Sequence, residues 1–185
     1  MDYVRRHPID SDLLVHGTSD SIAPFVPSPT DVVRKMLEVA NLTPGELLYD
    51  LGCGDGRVVI TAVREFGARG VGIDLMPRLV AEAEAEATRL GLGDRARFVS
   101  GNLFDVDLGD ADVVTMYLLT GANEKVRPKL ERELRKGARV VTHDFPITKW
   151  EADRVEKFSV DSGSHTIYLY VWNRGVEKRS WGLPL

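Results

Sequence analysis

A chain of 185 residues, 43% hydrophobic and 28% charged, can build one core around a sheet, which fits a single domain. Its formal net charge of −4 supplies no excess of positive charge to hold a phosphate backbone, which disfavours DNA or long RNA as a partner. The one cysteine, Cys53, excludes a disulfide within the chain, the N-terminus lacks the apolar core of a signal peptide, and no apolar run approaches the roughly 20 residues needed to cross a bilayer; the expectation is a cytoplasmic protein with no membrane span.

Residues 1–27 show no sustained period and read as an N-terminal arm ending in the extended Pro24-Phe25-Val26-Pro27. A helix is predicted from Ser28, with Ser28 as N-cap, Pro29 in the first helical position and Asp31 in the first turn. Val32, Val33, Met36, Leu37 and Ala40 form its apolar stripe. The turn Asn41-Leu42-Thr43-Pro44-Gly45 delivers the chain into a first strand, Leu47 to Leu51. The glycine-rich turn Gly52-Cys53-Gly54-Asp55-Gly56 follows, then a helix to about Phe66, stopped by Gly67. A second strand, Gly70 to Asp74, ends in an acid, and Met76-Pro77 opens the next helix, whose Ala and Glu residues are strong helix formers. Arg97-Phe98-Val99 is the third strand, Ala111 to Tyr117 the fourth, and Arg139 to Thr142 the fifth. Between the last two, a helix is expected over Asn123 to Lys136, starting afresh at Pro128 and terminated by Gly137. Val155 to Val160 and Thr166 to Trp172 flank Asp161-Ser162-Gly163-Ser164 and read as a hairpin. Strands alternating with helices, then a terminal antiparallel hairpin, predict an α/β fold with a doubly wound, Rossmann-like sheet of seven strands.

The stretch from Asp50 to Gly56 is where the chemistry concentrates. Strand, tight glycine turn and helix start bring the backbone close to a small ligand, with Asp50 at the strand's carboxyl end. A dinucleotide site wants G-x-G-x-x-G/A, but counting from Gly52 the third small position is Arg57. A phosphate-binding loop favours Lys or Arg within the turn, where this chain has Cys53 and Asp55. No cation adjoins Cys53 in sequence to depress its pKa, so it reads as a small turn residue rather than a nucleophile. His143 and His165 lie on different elements, and no cysteine or histidine grouping suggests a metal site.

With an acid followed by x-G-x-G-x-G over Asp50 to Gly56, a strand-end acid at Asp74 and a polar residue after the third strand at Asn102, the chain resembles the class I S-adenosylmethionine-dependent methyltransferases. The resemblance implies one methyltransferase domain over 28–185 and S-adenosyl-L-methionine as cofactor. It implies that Asp50 takes the cofactor's ammonium and that Asp74, with Leu75 beside it, takes the ribose hydroxyls. Gly52, Cys53, Gly54 and Gly56 would form the approach surface, and Asn102 and Leu103 would meet the adenine. The family commonly has Asp where this chain has Asn102, which still offers an acceptor oxygen.

For the methyl acceptor, the Asn/Asp-Pro-Pro-Tyr/Phe motif of amino-methyltransferases acting on adenine or glutamine is absent; Thr115-Met116-Tyr117-Leu118-Leu119 stands in its place. Val26-Pro27-Ser28-Pro29, Tyr49 to Arg57, Tyr117-Leu118-Leu119 and His143-Asp144-Phe145-Pro146 together resemble the archaeal broad-specificity protein-lysine methyltransferases and their eukaryotic relatives that methylate a mitochondrial ATP-synthase lysine. That resemblance implies a protein substrate with exposed lysines and no partner chain, Tyr117 lining the lysine slot, and Phe145 and Pro146 as its opposing wall. The alternatives left open are a small-molecule N- or O-methyltransferase, a non-catalytic cofactor-binding module, and an RNA methyltransferase, the last disfavoured by the acidic balance.

Overall fold

A computed structural model describes residues 27–174, so the arm expected over 1–27 lies, but for Pro27, outside the described residues. Seven strands form one sheet: β1 Leu47–Leu51, β2 Arg69–Asp74, β3 Ala96–Ser100, β4 Val113–Met116, β5 Arg139–His143, β6 Arg154–Val160 and β7 Gly163–Val171. Four α-helices accompany them: α1 Thr30–Val39, α2 Arg57–Phe66, α3 Pro77–Arg89 and α4 Thr120–Glu133. The strand order is β3-β2-β1-β4-β5-β7-β6. The first five strands run parallel, whereas β7 pairs antiparallel with both β5 and β6. The order reverses between β1 and β4, and the crevice beyond their carboxyl ends is where open α/β sheets bind ligands.

The parallel strands carry apolar side chains on both faces, so both faces are covered. On one face α1, α2 and α3 pack Val33, Met36, Leu37, Val59, Val63, Val80 and Ala83 against the sheet. On the other, α4 contributes Ala122, Val126 and Leu130 beside Leu51, Val114, Met116 and Ile147.

The helix ends differ from the predicted ones in two places. Helix α1 starts at Thr30 with Pro29 as its cap, and Ser28 makes no capping bond; its hydroxyl lies 2.9 Å from His143 Nδ1 instead. A long-range partner has taken the oxygen that local sequence assigns to the cap. Helix α4 begins at Thr120, runs unbroken through Pro128 and ends at Glu133. Proline costs a helix one hydrogen bond, but Ala122, Asn123, Val126, Lys129 and Leu130 are buried on both sides of it, and that packing overrides the local preference. The helix also ends short of Gly137, whose φ of 86° serves the turn into β5.

Among the described residues no helix is long and apolar enough to cross a membrane.

Candidate active site

The glycine turn is pinned from below. Gly52 N and Cys53 N both donate to Ile73 O, at 2.8 and 3.0 Å, and Gly56 N donates to Cys53 O at 2.9 Å. Gly54 N donates to Asp74 Oδ2 at 2.9 Å, while Met76 N donates to Asp74 Oδ1 at 2.9 Å. The turn's amide hydrogens are therefore largely spent inside the protein. An anion-binding loop needs them free, so this turn is a close-approach surface and not a phosphate cradle.

Gly52, Gly54 and Gly56 have φ values of 83°, 53° and 78°, in the left-handed region that a Cβ disfavours. At Gly56 space is a second reason: a Cβ there would lie 2.6 Å from Phe98 Cε1 and 2.7 Å from Ala83 Cβ, so the start of α2 can approach β3 and α3 only without one. Cys53 is buried against Gly72, whose own Cβ would lie 2.8 Å from the sulfur. Burial pushes its thiol pKa up, reinforced by Asp50, Asp74 and Asp55, so it is a packing residue and not a nucleophile.

Arg57 makes two contacts that its sequence neighbours do not announce. Its Nη2 meets Asp55 Oδ2 at 2.6 Å, and its Nη1 donates to Ser28 O at 2.8 Å. It thus ties the glycine turn to the segment leading into α1 and neutralises Asp55.

Asp50 has no such cation. It is 4% exposed, and Thr115 Oγ1 donates to its Oδ1 at 2.7 Å. Burial pushes its pKa up to about 7, against the Thr115 hydroxyl and helped by the negative charges of Asp74 and Asp55. Among the described residues no Lys, Arg or His pairs with it. A buried carboxylate without a cation is costly, and this one sits at the carboxyl end of β1, at the switch point, where a cationic ligand group would satisfy it.

Around this point the other expected residues fall as follows. Asp74 and Leu75 are half-buried at the end of β2, and each Asp74 oxygen keeps a second lone pair beyond its backbone donor. Asn102 is exposed and its Oδ1 accepts from Phe104 N at 3.0 Å, capping the short 3-10 turn Leu103–Asp105. Leu103 is buried beneath it.

At the ends of β4 and β5, Tyr117 and Phe145 are half-buried, as is Pro146. The Tyr117 and Phe145 rings stack, 6.1 Å between centroids at 25°. Two parallel rings need about 7 Å to admit an aliphatic chain between them, at contacts of 3.5–4.0 Å each. An acceptor therefore reaches the site along the ring edges in this conformation. Behind Tyr117 lies His143, centroid to centroid 3.9 Å. Asn123, fully buried, donates Nδ2 to Phe145 O at 2.8 Å and so holds the Phe145-Pro146 loop to α4; its Oδ1 has no partner among the described residues.

His143 and His165, which the sequence places on separate elements, stand side by side because β5 pairs with β7. Burial pushes the His143 pKa down to about 4, against the opposing pull of Asp144. A cleft of about 290 Å³ lined by Trp150, Tyr170 and Trp172 lies elsewhere: Trp172 N bonds Ala138 O, at the opposite end of β5 from the glycine turn.

A seven-stranded sheet with an antiparallel seventh strand, presenting an unpaired carboxylate beside an amide-poor glycine turn, is the architecture of an S-adenosylmethionine-dependent methyltransferase. Known proteins of similar sequence and structure agree. A family model described as the ANTKMT methyltransferase domain matches residues 50–154, and the chain belongs to that family. It is 47% identical over 149 residues to a protein-lysine N-methyltransferase of Saccharolobus islandicus (strain REY15A), covering 80% of this chain and 92% of that one. It is 34% identical to a human ATP synthase lysine N-methyltransferase over 84% of this chain, spanning 65% of the human protein. Among solved structures, it matches an RNA methyltransferase from Salinibacter ruber in complex with S-adenosyl-L-homocysteine with a TM-score of 0.75 and 42% identity, over 83% of this chain and 97% of that one.

Proposed function

We propose that this protein transfers methyl from S-adenosylmethionine to the ε-amino group of lysine in protein substrates. The observation that carries the reading is the 47% identity, over nearly the whole length of the archaeal relative, to an enzyme named for that activity.

The residues fit the cofactor. Its ammonium matches the unpaired Asp50 carboxylate, and its positive sulfonium suits a surface where Asp50, Asp55 and Asp74 outnumber the single Arg57. In this reading Asp74, with Leu75 beside it, holds the ribose hydroxyls on its free lone pairs. Asn102 and Leu103 take the adenine edge and face. Gly52, Cys53, Gly54 and Gly56 provide the close backbone approach. S-adenosylmethionine supplies the electrophilic methyl; the chain's part is alignment and exclusion of water.

The acceptor would enter beside Tyr117, Phe145 and Pro146. A lysine amine, with a free pKa of about 10.4, must arrive neutral, and a desolvated opening lowers that pKa. Tyr117 would attract the ammonium before proton loss through its ring face. None of these groups is placed as a general base, and proton loss to water before transfer makes one unnecessary. A cytoplasmic location belongs to the same reading, supported by the single, unpaired cysteine.

A second reading, RNA as acceptor, is favoured by the Salinibacter ruber relative's description and opposed by the net charge of −4. One experiment separates them: incubation with methyl-labelled cofactor and both protein and RNA mixtures, followed by mapping of the label. Label on lysine side chains is expected. Label confined to RNA or to small molecules would overturn the proposal.

A further inference from the structure

His143, Asp144 and His165 bring three ligand-type atoms into one small triangle. His143 Nε2 lies 2.9 Å from His165 Nδ1 and 3.2 Å from Asp144 Oδ2, and His165 Nδ1 lies 3.3 Å from the same oxygen. When ligands sit about 2.0–2.2 Å from one ion, their mutual separations are about 3.0 Å at right angles and about 3.4 Å at the tetrahedral angle. The three edges fall in or beside that range.

The outer atoms of the cluster are occupied in the way metal ligands need. His143 Nδ1 lies 2.9 Å from Ser28 Oγ, and His165 Nε2 lies 3.1 Å from Ser162 Oγ. If each of these nitrogens carries the proton and donates to its serine, the two inward nitrogens are bare lone pairs facing each other beside a carboxylate oxygen. Such outer hydrogen bonds are what set the tautomer of a ligating histidine. Asp144 is held in place as well: its Oδ1 accepts from Thr166 N at 2.7 Å, its own N donates to Thr166 O at 2.7 Å, and its φ of 57° is an uncommon one for an L-residue. Among the described residues no Lys or Arg pairs with it. Three electron-rich atoms this close repel unless a proton or a cation lies among them.

We propose that His143, Asp144 and His165 bind one divalent transition-metal ion of the zinc, cobalt or nickel class. Two imidazoles and one carboxylate suit these ions better than magnesium or calcium, which prefer all-oxygen sites. The ion enters from the Asp144 and His165 side, where the side chains are 28% and 12% exposed, since His143 is fully buried. Bound there, it fastens β5 to β7 and, through Ser28, to the segment before α1. It also fixes the ring on which Tyr117 stacks. It takes no part in methyl transfer, so the proposal stands or falls independently of the acceptor.

The test uses full-length, chelator-treated protein titrated with Zn²⁺ in a calorimeter and with Co²⁺ by visible absorption. One equivalent is expected to bind with micromolar or tighter affinity, to give a protein-dependent cobalt band and to raise the melting temperature. His165→Gln and Asp144→Asn should each weaken binding at least tenfold, while replacement of the chain's other two histidines, His7 and His16, should leave it unchanged. Absence of a stoichiometric site, equal binding by His165→Gln, or loss of binding on replacing His7 and His16 alone would overturn the proposal. The triangle would then be a latch held by a shared proton.

Discussion

Replacing Asp50 with Asn separates what this residue costs the fold from what it does for the ligand. The change is nearly isosteric, and the new Oδ1 can still accept from Thr115 Oγ1. In the ligand-free protein the Asp50 pKa stands at about 7 in place of 3.8. At about 1.4 kcal/mol per pH unit, that difference corresponds to roughly 4 kcal/mol of stability forgone above pH 7. The sign follows from proton counting: between about pH 4 and 7 the folded chain keeps a proton that the unfolded chain has released, so stability falls as pH rises through that window and then levels off. The Asn variant escapes this cost. Its unliganded melting temperature should exceed that of the unsubstituted protein by several degrees at pH 8, where about 1 kcal/mol corresponds to 2–4 °C for a chain of this size. At pH 5 the gain should shrink to about half, as the cost there is roughly 2 kcal/mol. Cofactor affinity should move the opposite way, with Kd rising at least a hundredfold by calorimetry at pH 8, because an amide cannot neutralise an ammonium in a dry site. A variant no more stable than the parent, with unchanged Kd, would refute both the burial argument and the ammonium assignment.

The remaining predictions concern the turn and the acceptor loop. Asp74→Ala removes the acceptors of Gly54 N and Met76 N, so it should cost about 1–3 kcal/mol of stability as well as most of the cofactor affinity; unchanged calorimetric affinity would contradict the ribose assignment. Gly56→Ala should destabilise by about 2–4 kcal/mol in denaturant titration, combining a left-handed φ with a Cβ forced onto Phe98 and Ala83; adding Phe98→Leu should recover part of the loss. Asn123→Ala releases the Phe145 carbonyl, and kcat should drop about ten- to hundredfold through misplacement of the acceptor while cofactor Kd stays constant. A parallel rise in cofactor Kd would show that Asn123 acts elsewhere.

Much of the site is legible in the sequence because its signals are local. An acid, three alternating glycines and a helix start lie within Asp50 to Arg57, and backbone geometry alone requires Gly at positive φ. Asp74 and Asn102 sit at the ends of predicted strands, and the parallel order carries them to the same edge as the turn. The helix ends near Ser28 and Pro128 depart from expectation for the opposite reason: a histidine 115 residues away claims the Ser28 hydroxyl, and buried neighbours hold Pro128 within α4.

The sequence by itself therefore determined the alternation of strands and helices, the terminal hairpin and the cofactor-type turn, all of which depend on residues within a few positions of each other. Only the tertiary structure decided that β7, not β6, enters the sheet beside β5. Either strand of a hairpin can offer its edge, and the choice rests on side-chain packing across the whole sheet. That choice places His165 against His143 and Asp144. The same long-range packing leaves Asp50 dry and unpaired at the switch point, and lets Arg57 reach back to Ser28. Long-range register has no local signature, so these partnerships exist only once the chain has folded.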